Sequence, residues 1–307
     1  MSAVLPASTP VWAMAPADAQ ARCRTFLRAQ LAASGRRGLV VGLSGGIDSA
    51  VAAALAVDAL GADRVTGIMM PYATSSADSL ADAQAVAETL GLATEKVDIT
   101  PMADAFLASV PDSERVRRGN VMARCRMIVL YDRSAQRDAL VLGTGNRTEA
   151  LLGYTTMYGD NACALNPLGQ LYKTEVRLLA AHFGLPSNVL TKAPSADLWA
   201  GQADEDELGV SYAEVDRLLH HLVDERLGER QLAALGFAPA LVARISARVC
   251  AMAFKRRLPP VAEMSGRVDP DATPGDAGLG AADLDAAALD AAALEARARA
   301  GGGGASS

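Results

Sequence analysis

Residues 42 to 49 read Gly42-Leu43-Ser44-Gly45-Gly46-Ile47-Asp48-Ser49, between the apolar run Leu39-Val40-Val41 and an Ala-rich stretch from Ala50 to Leu60. An apolar run, two adjacent glycines and a run of helix formers spell a strand, a tight loop and a helix start. Paired glycines let backbone N–H groups converge, and a helix beginning near Ser49 adds orphan donors and the positive end of its dipole. Such a loop is a cradle for a polyphosphate. No Lys follows the second glycine, so this is not the G-x-x-x-x-G-K-[ST] loop of the common ATPases and GTPases.

Outward from the loop, β-branched and apolar runs recur at 39–41, 65–70, 94–99 and 139–142. Helical patterns over 50–60, 79–90, 101–109 and 120–136 separate them. Strand alternating with helix predicts an α/β, doubly wound parallel sheet covered on both faces. Ligands of such sheets bind at the carboxyl ends of the strands. The loops at 43–48, 71–77 and 143–148 are therefore the candidates. From Lys173 onward the pattern is mostly helical, over 175–183, 212–226 and 239–254, which predicts a helical C-terminal elaboration.

Composition narrows the class. Of the 307 residues, 50% are hydrophobic and only 4% aromatic, so the core must be built mainly from Ala, Leu and Val. A net charge of -6 opposes nucleic-acid binding, which needs a basic excess. Cys23, Cys125, Cys163 and Cys250 form no C-x-x-C pair, so neither a zinc site nor a disulfide framework is expected. No apolar stretch reaches the roughly 18 residues that span a bilayer, and Pro6, Pro10 and Pro16 interrupt an N-terminus without a charged leader. A cytoplasmic protein without membrane contact is expected. Residues 1–20 read as a flexible N-terminal segment, 21–262 as the catalytic domain, and 263–307 as a low-complexity, disordered tail whose Ala-rich stretch could form at most a marginal helix.

A second constellation follows. It comprises Gly119-Asn120 with Arg124 and Arg126, then Gly143-Thr144-Gly145-Asn146-Arg147-Thr148-Glu149, Gly153-Tyr154, and Tyr158-Gly159-Asp160. Further on stand Leu171-Tyr172-Lys173-Thr174, Lys192-Ala193-Pro194-Ser195-Ala196-Asp197, the acidic run to Gly209, and Phe254-Lys255-Arg256-Arg257. Two arginines two residues apart on a helix cannot face the same way, so Arg124 and Arg126 should differ in role.

The first motif resembles the S-G-G-x-D-S signature of the PP-loop ATP pyrophosphatases. In order and spacing the whole set, from about residue 21 to 261, resembles one of them, the ammonia-dependent NAD synthetase family. The resemblance implies an adenine nucleotide α-hydrolase-like, Rossmann-like fold. It implies that ATP adenylates the nicotinate carboxylate of deamido-NAD, pyrophosphate leaves, and ammonia displaces AMP to give NAD. By residue-level matching, Gly42, Leu43, Ser44, Gly45, Gly46, Ile47, Asp48 and Ser49 would hold the ATP phosphates, joined by Thr144, Lys173 and Ser195. Asp48 and Glu149 would bind Mg²⁺, Asp48 and Lys173 would be catalytic, and Arg124 and Lys255 would contact the dinucleotide. A homodimer is implied as well. His182, His220 and His221 match no family motif.

Three positions depart from the family pattern. Met157 stands where Lys is common, Ala164 where Asp is common, and Phe254 where His is common. All three fall on the dinucleotide side, so an amide synthetase acting on another carboxylate is the alternative. A PP-loop tRNA-modifying enzyme is opposed by the acidic balance, and a regulatory nucleotide-binding module would not need Asp48 and Glu149 together. The segment before Gly42 is too short for a glutaminase domain, so free ammonia is the expected nitrogen source, with a separate glutaminase subunit left open.

Overall fold

Strands β1 (Gly38–Gly42), β2 (Val65–Met69), β3 (Ala93–Lys96) and β4 (Ala139–Leu142) pair in parallel in the order β3-β2-β1-β4. The protein is seen here as a computed structural model, which describes residues 10, 12–192 and 209–262. The chain runs from β1 to β2 and β3 on one side, then returns to place β4 on the other side of β1. The order therefore reverses between β1 and β4, and a crevice opens at their carboxyl ends, where doubly wound sheets place ligands.

Both sheet faces are covered because the strands are apolar on both sides. Leu39 and Val41 pack toward α1 (Pro16–Ser34), α2 (Ile47–Leu60), α3 (Ala77–Leu90) and α7 (Lys173–His182). Val40, Ile68 and Val141 pack on the opposite face with α4 (Thr100–Leu107) and α5 (Arg115–Gln136). Side chains of a strand alternate between faces, so one continuous apolar run serves two cores. Edge strand β3 is the exception, being mostly exposed. Its Glu95 is held by Arg133 at 2.6 Å and Arg137 at 2.7 Å, and charge of this kind discourages edge-to-edge pairing.

Short α6 (Arg147–Leu152) follows β4, and α8 (Ser187–Thr191) follows α7. The helical elaboration comprises α9 (Tyr212–Leu219), α10 (Glu229–Ala234) and α11 (Pro239–Ala251), packed around Tyr212, Val215, Leu218, Leu232 and Ile245. The sequence reading differs in detail. The helix expected over 212–226 stops at Leu219, and residues His220–Asp224 form a π turn. Helix α1 starts at Pro16, inside the stretch 1–20 expected to be flexible, because Ala19 is buried and the Met14 N–H donates to Glu175 at 2.7 Å. The tail expected over 263–307 lies outside the described residues. Among the described residues no helix is long and apolar enough to cross a membrane, and Cys23, Cys125, Cys163 and Cys250 are all free thiols.

Candidate active site

The glycine loop is shorter than the motif suggests. Gly42 ends β1 and Ile47 already begins α2, so residues 43–46 alone make the turn. Leu43 stays in the sheet pattern, its N–H donating to Ile68 O at 2.9 Å. Gly45 has φ +78, and a Cβ there would meet the Ser79 carbonyl oxygen at 2.2 Å, so the position needs glycine twice over. Ser44 and Ser49 brace the turn: their Oγ atoms are 3.1 Å apart, Gly46 N–H donates to Ser44 Oγ, and Ser49 Oγ donates to Gly46 O at 2.9 Å. These hydroxyls shape the cradle as well as line it.

Asp48 lies in the first turn of α2 but is not its cap. The N-cap is Gly46, with no side-chain capping bond. The Asp48 carboxylate instead crosses the crevice to the β4 side. Its Oδ2 accepts from Lys173 Nζ at 2.5 Å, and its Oδ1 accepts from Asn146 Nδ2 at 2.8 Å. Asn146 is fully buried and caps α6, its Oδ1 accepting from the Glu149 N–H at 3.0 Å. Glu149 reciprocates through Oε2, which accepts from the Asn146 N–H at 3.2 Å, and its Oε1 lies 3.4 Å from Lys173 Nζ. One capping box thus aims two functional groups at the same ammonium.

Lys173 is only 3% exposed and opens α7. Its backbone N–H donates to Thr148 Oγ1 at 3.0 Å. Beneath it sits Asp216 of α9, fully buried, which accepts from Thr148 Oγ1 at 2.6 Å, Thr174 N at 2.7 Å and Thr174 Oγ1 at 2.8 Å. Burial pushes the Asp216 carboxyl up to about 6, against the pull of those three donors. The helical elaboration therefore seats Lys173.

Two carboxylates face one ammonium, and the imbalance shows in Glu149. Burial first, and the Asp48 charge second, raise its carboxyl to about 8, although Lys173 pulls the other way. The hard oxygen donors of Asp48 and Glu149 suit Mg²⁺, which takes one or two protein carboxylates and keeps its waters.

Thr144 lies half-buried in the loop after β4, on the same side of the crevice as Asn146. Ser195 lies outside the described residues. Lys192 reaches back to Asp82 at 2.7 Å and Ser79 Oγ at 3.1 Å, under the Gly45 turn.

The dinucleotide-side candidates are built differently. Arg124 is exposed and donates through Nε at 3.3 Å to the Met157 carbonyl, whereas Arg126 donates to the Met70 carbonyl at 3.1 Å, so the two do diverge. Lys255 Nζ donates to the carbonyls of Gly153 and Thr155, both at 2.7 Å. Burial lowers the Lys255 ammonium, while the nearby Asp160 charge raises it.

The reading from sequence passed over Asn146, Thr148 and Asp216. Asn146 and Thr148 stood inside a quoted motif, and Asn three residues before Glu is a capping-box signature that could have found the first. Asp216 carries no local signal, since its partners are 42 and 68 residues away.

The sequence model of NAD synthase matches residues 19–259. The chain is 50% identical over 250 residues to the "NH(3)-dependent NAD(+) synthetase" of Chlorobaculum parvum, an alignment covering 81% of this chain and 88% of that protein. Among solved structures, it is similar to an NMN synthetase from Francisella tularensis, with TM-score 0.72 and 35% identity over 82% of this chain and 100% of that one. It is also similar to the NH3-dependent NAD synthetase from Campylobacter jejuni, with TM-score 0.70 and 34% identity over 81% and 100% of the two chains.

Proposed function

The chain belongs to the NAD synthase family, and on that premise we propose that the crevice between β1 and β4 is where it adenylates and then amidates its acid substrate. It is an ATP-dependent, ammonia-using ligase that converts deamido-NAD to NAD with release of AMP and pyrophosphate. The observation that carries the site assignment is Lys173 Nζ lying between Asp48 and Glu149 where the strand order reverses.

The chemistry follows from the groups. A carboxylate has no good leaving group, so its oxygen attacks the α-phosphorus of ATP and pyrophosphate departs. Ammonia then adds to the acyl carbon, and AMP leaves. Charge builds on phosphate oxygens in the first step, and preorganised donors stabilise it best. The positive N-terminal end of α2 would face that charge, and Lys173 supplies an ammonium whose position Asp216 and Thr148 set. Asp48 and Glu149 would hold Mg²⁺, which supplies Lewis-acid charge neutralisation to the phosphates. Glu149 must give up its proton to serve as a ligand, so the site favours neutral to alkaline pH.

Arg124 shares one face of α5 with Val116, Ile128 and Tyr131, which are 61%, 52% and 41% exposed. An exposed apolar stripe around a substrate-binding Arg supports a second copy of the chain docking here, with the dinucleotide near the interface. Ile128→Glu should convert a dimer to a monomer in sedimentation experiments. Free Cys23, Cys125, Cys163 and Cys250 suit a reducing, cytoplasmic setting.

Met157, Ala164 and Phe254 favour keeping one second reading, the mononucleotide acid whose amidation would yield NMN. Incubation of the purified protein with ATP, Mg²⁺, ammonium and either deamido-NAD or nicotinate mononucleotide decides between them. AMP, pyrophosphate and amide should appear in equal amounts with deamido-NAD. Turnover with the mononucleotide alone would overturn the dinucleotide assignment, and no pyrophosphate with either would overturn the ligase reading.

A further inference from the structure

The π turn after α9 gathers two histidines and a carboxylate outside the crevice. In a regular helix Glu225 would lie beneath His221 only, at spacing i+4. Here the Glu225 N–H donates to His220 O at 3.1 Å, an i+5 bond, and the widened turn brings Glu225 beneath both rings. Glu225 Oε2 lies 2.7 Å from His221 Nδ1, and its Oε1 lies 3.3 Å from His220 Nε2. One ligand atom from each of the three residues falls within 4.8 Å of the others. Bonds of about 2.0–2.1 Å to a tetrahedral Zn²⁺ place neighbouring ligand atoms roughly 3.3 Å apart, the His220–Glu225 separation; the His221 contact is shorter and the set spans up to 4.8 Å, so small side-chain rotations would close the shell.

We propose that His220, His221 and Glu225 form a binding site for a borderline-soft transition-metal dication such as Zn²⁺, separate from the carboxylate pair of the crevice. The rings are already held. His220 stacks on Trp12, with centroids 5.6 Å apart and planes 29° apart, and His221 sits edge-on to Phe237 at 6.1 Å. His220 Nδ1 faces Asp224 Oδ2 at 3.5 Å, which leaves Nε2 for the metal in the carboxylate–histidine–metal arrangement that orients such ligands. Asp224 is itself fixed by the Tyr172 hydroxyl at 2.7 Å and by Arg147. The side chains of His220, His221 and Glu225 are 20%, 19% and 45% exposed, so water can complete the coordination shell. Imidazole nitrogens favour Zn²⁺ over Mg²⁺, so the two sites should sort the two ions. The site would staple the turn to the segment carrying Trp12 and, through Asp224, to the first residues of α6 and α7.

Zn²⁺ titration of the metal-stripped full chain by calorimetry, in millimolar Mg²⁺ to fill the crevice carboxylates, tests the site. One Zn²⁺ per chain should bind at micromolar concentration or below and persist in the Asp48→Asn variant. Affinity should fall by about tenfold to a hundredfold in His220→Ala and His221→Ala. Glu225→Gln, which keeps shape and removes charge, should weaken it too. In Trp199→Phe, Trp12 emission should change on binding, and Co²⁺ should show the visible bands of a four-coordinate ion. Zn²⁺ affinity unchanged in both histidine variants, displacement by Mg²⁺, or binding only at millimolar concentration would overturn the proposal. In each of those outcomes His220 and His221 are simply polar neighbours of Glu225.

Discussion

The two halves of the proposed reaction centre hold their cations in opposite ways. On the nucleotide side Lys173 is buried against two carboxylates, and each carboxylate is tied down by Asn146. On the acid-substrate side Arg124 and Lys255 rest on main-chain carbonyls of Met157, Gly153 and Thr155, within loops. A buried charge must be matched at folding, because an unmatched one costs several kcal/mol, roughly 3–5 when a pair is broken. A cation whose hydrogen bonds go to neutral carbonyls can exchange those partners for a substrate phosphate. The nucleotide side is thus preorganised, and the acid side is available.

The sharpest way to break this contrast is Asp48→Asn. It should keep the fold by circular dichroism while turnover falls by about 10²–10³, the scale for losing one preorganised electrostatic group. Wild-type turnover would remove Asp48 from the mechanism. Asp216→Ala comes next, since Thr148 Oγ1 and the Thr174 N–H and hydroxyl lose a buried acceptor. It should lower stability by about 3 kcal/mol in denaturant unfolding, and Asp216→Asn should recover part of that loss.

The nucleotide side should also carry a pH signature of its own. Because folding raises the Glu149 carboxyl from its ordinary value to about 8, its contribution to stability is full below the unfolded value near 4.5 and is lost as pH rises through about 8. The metal-free protein should therefore lose thermal stability from pH 5 to about 8.5, and Glu149→Gln should flatten that decline. Apparent Mg²⁺ affinity should rise over the same window, measured by calorimetry. Arg124→Ala and Lys255→Ala should give the smallest effect, raising KM for the acid substrate by about tenfold, on the order of one charge-assisted hydrogen bond, with KM for ATP unchanged.

Legibility follows the range of each interaction. Strand β1 and a glycine turn after it are legible because glycine conformation and apolar runs act within a few residues, although the loop expected over 43–48 ends at 46. The helix start was placed two residues late, since an Ile-Asp-Ser run carries no side-chain cap to mark it. Ends of the C-terminal helices were less readable. Nothing in Leu219-His220-His221 announces a π turn; the chain widens there where His220 stacks on Trp12 and Asp224 meets Tyr172 and Arg147.

The local sequence was enough to determine a parallel sheet and the glycine turn between β1 and α2, because each depends on residue type and short spacing. Only tertiary structure decided that Asp48, 125 residues from Lys173, shares its ammonium with Glu149, and that Asp216 seats that lysine from a different helix. The physical reason is that partners of a buried charge are chosen by proximity after the sheet reverses its order beside β1.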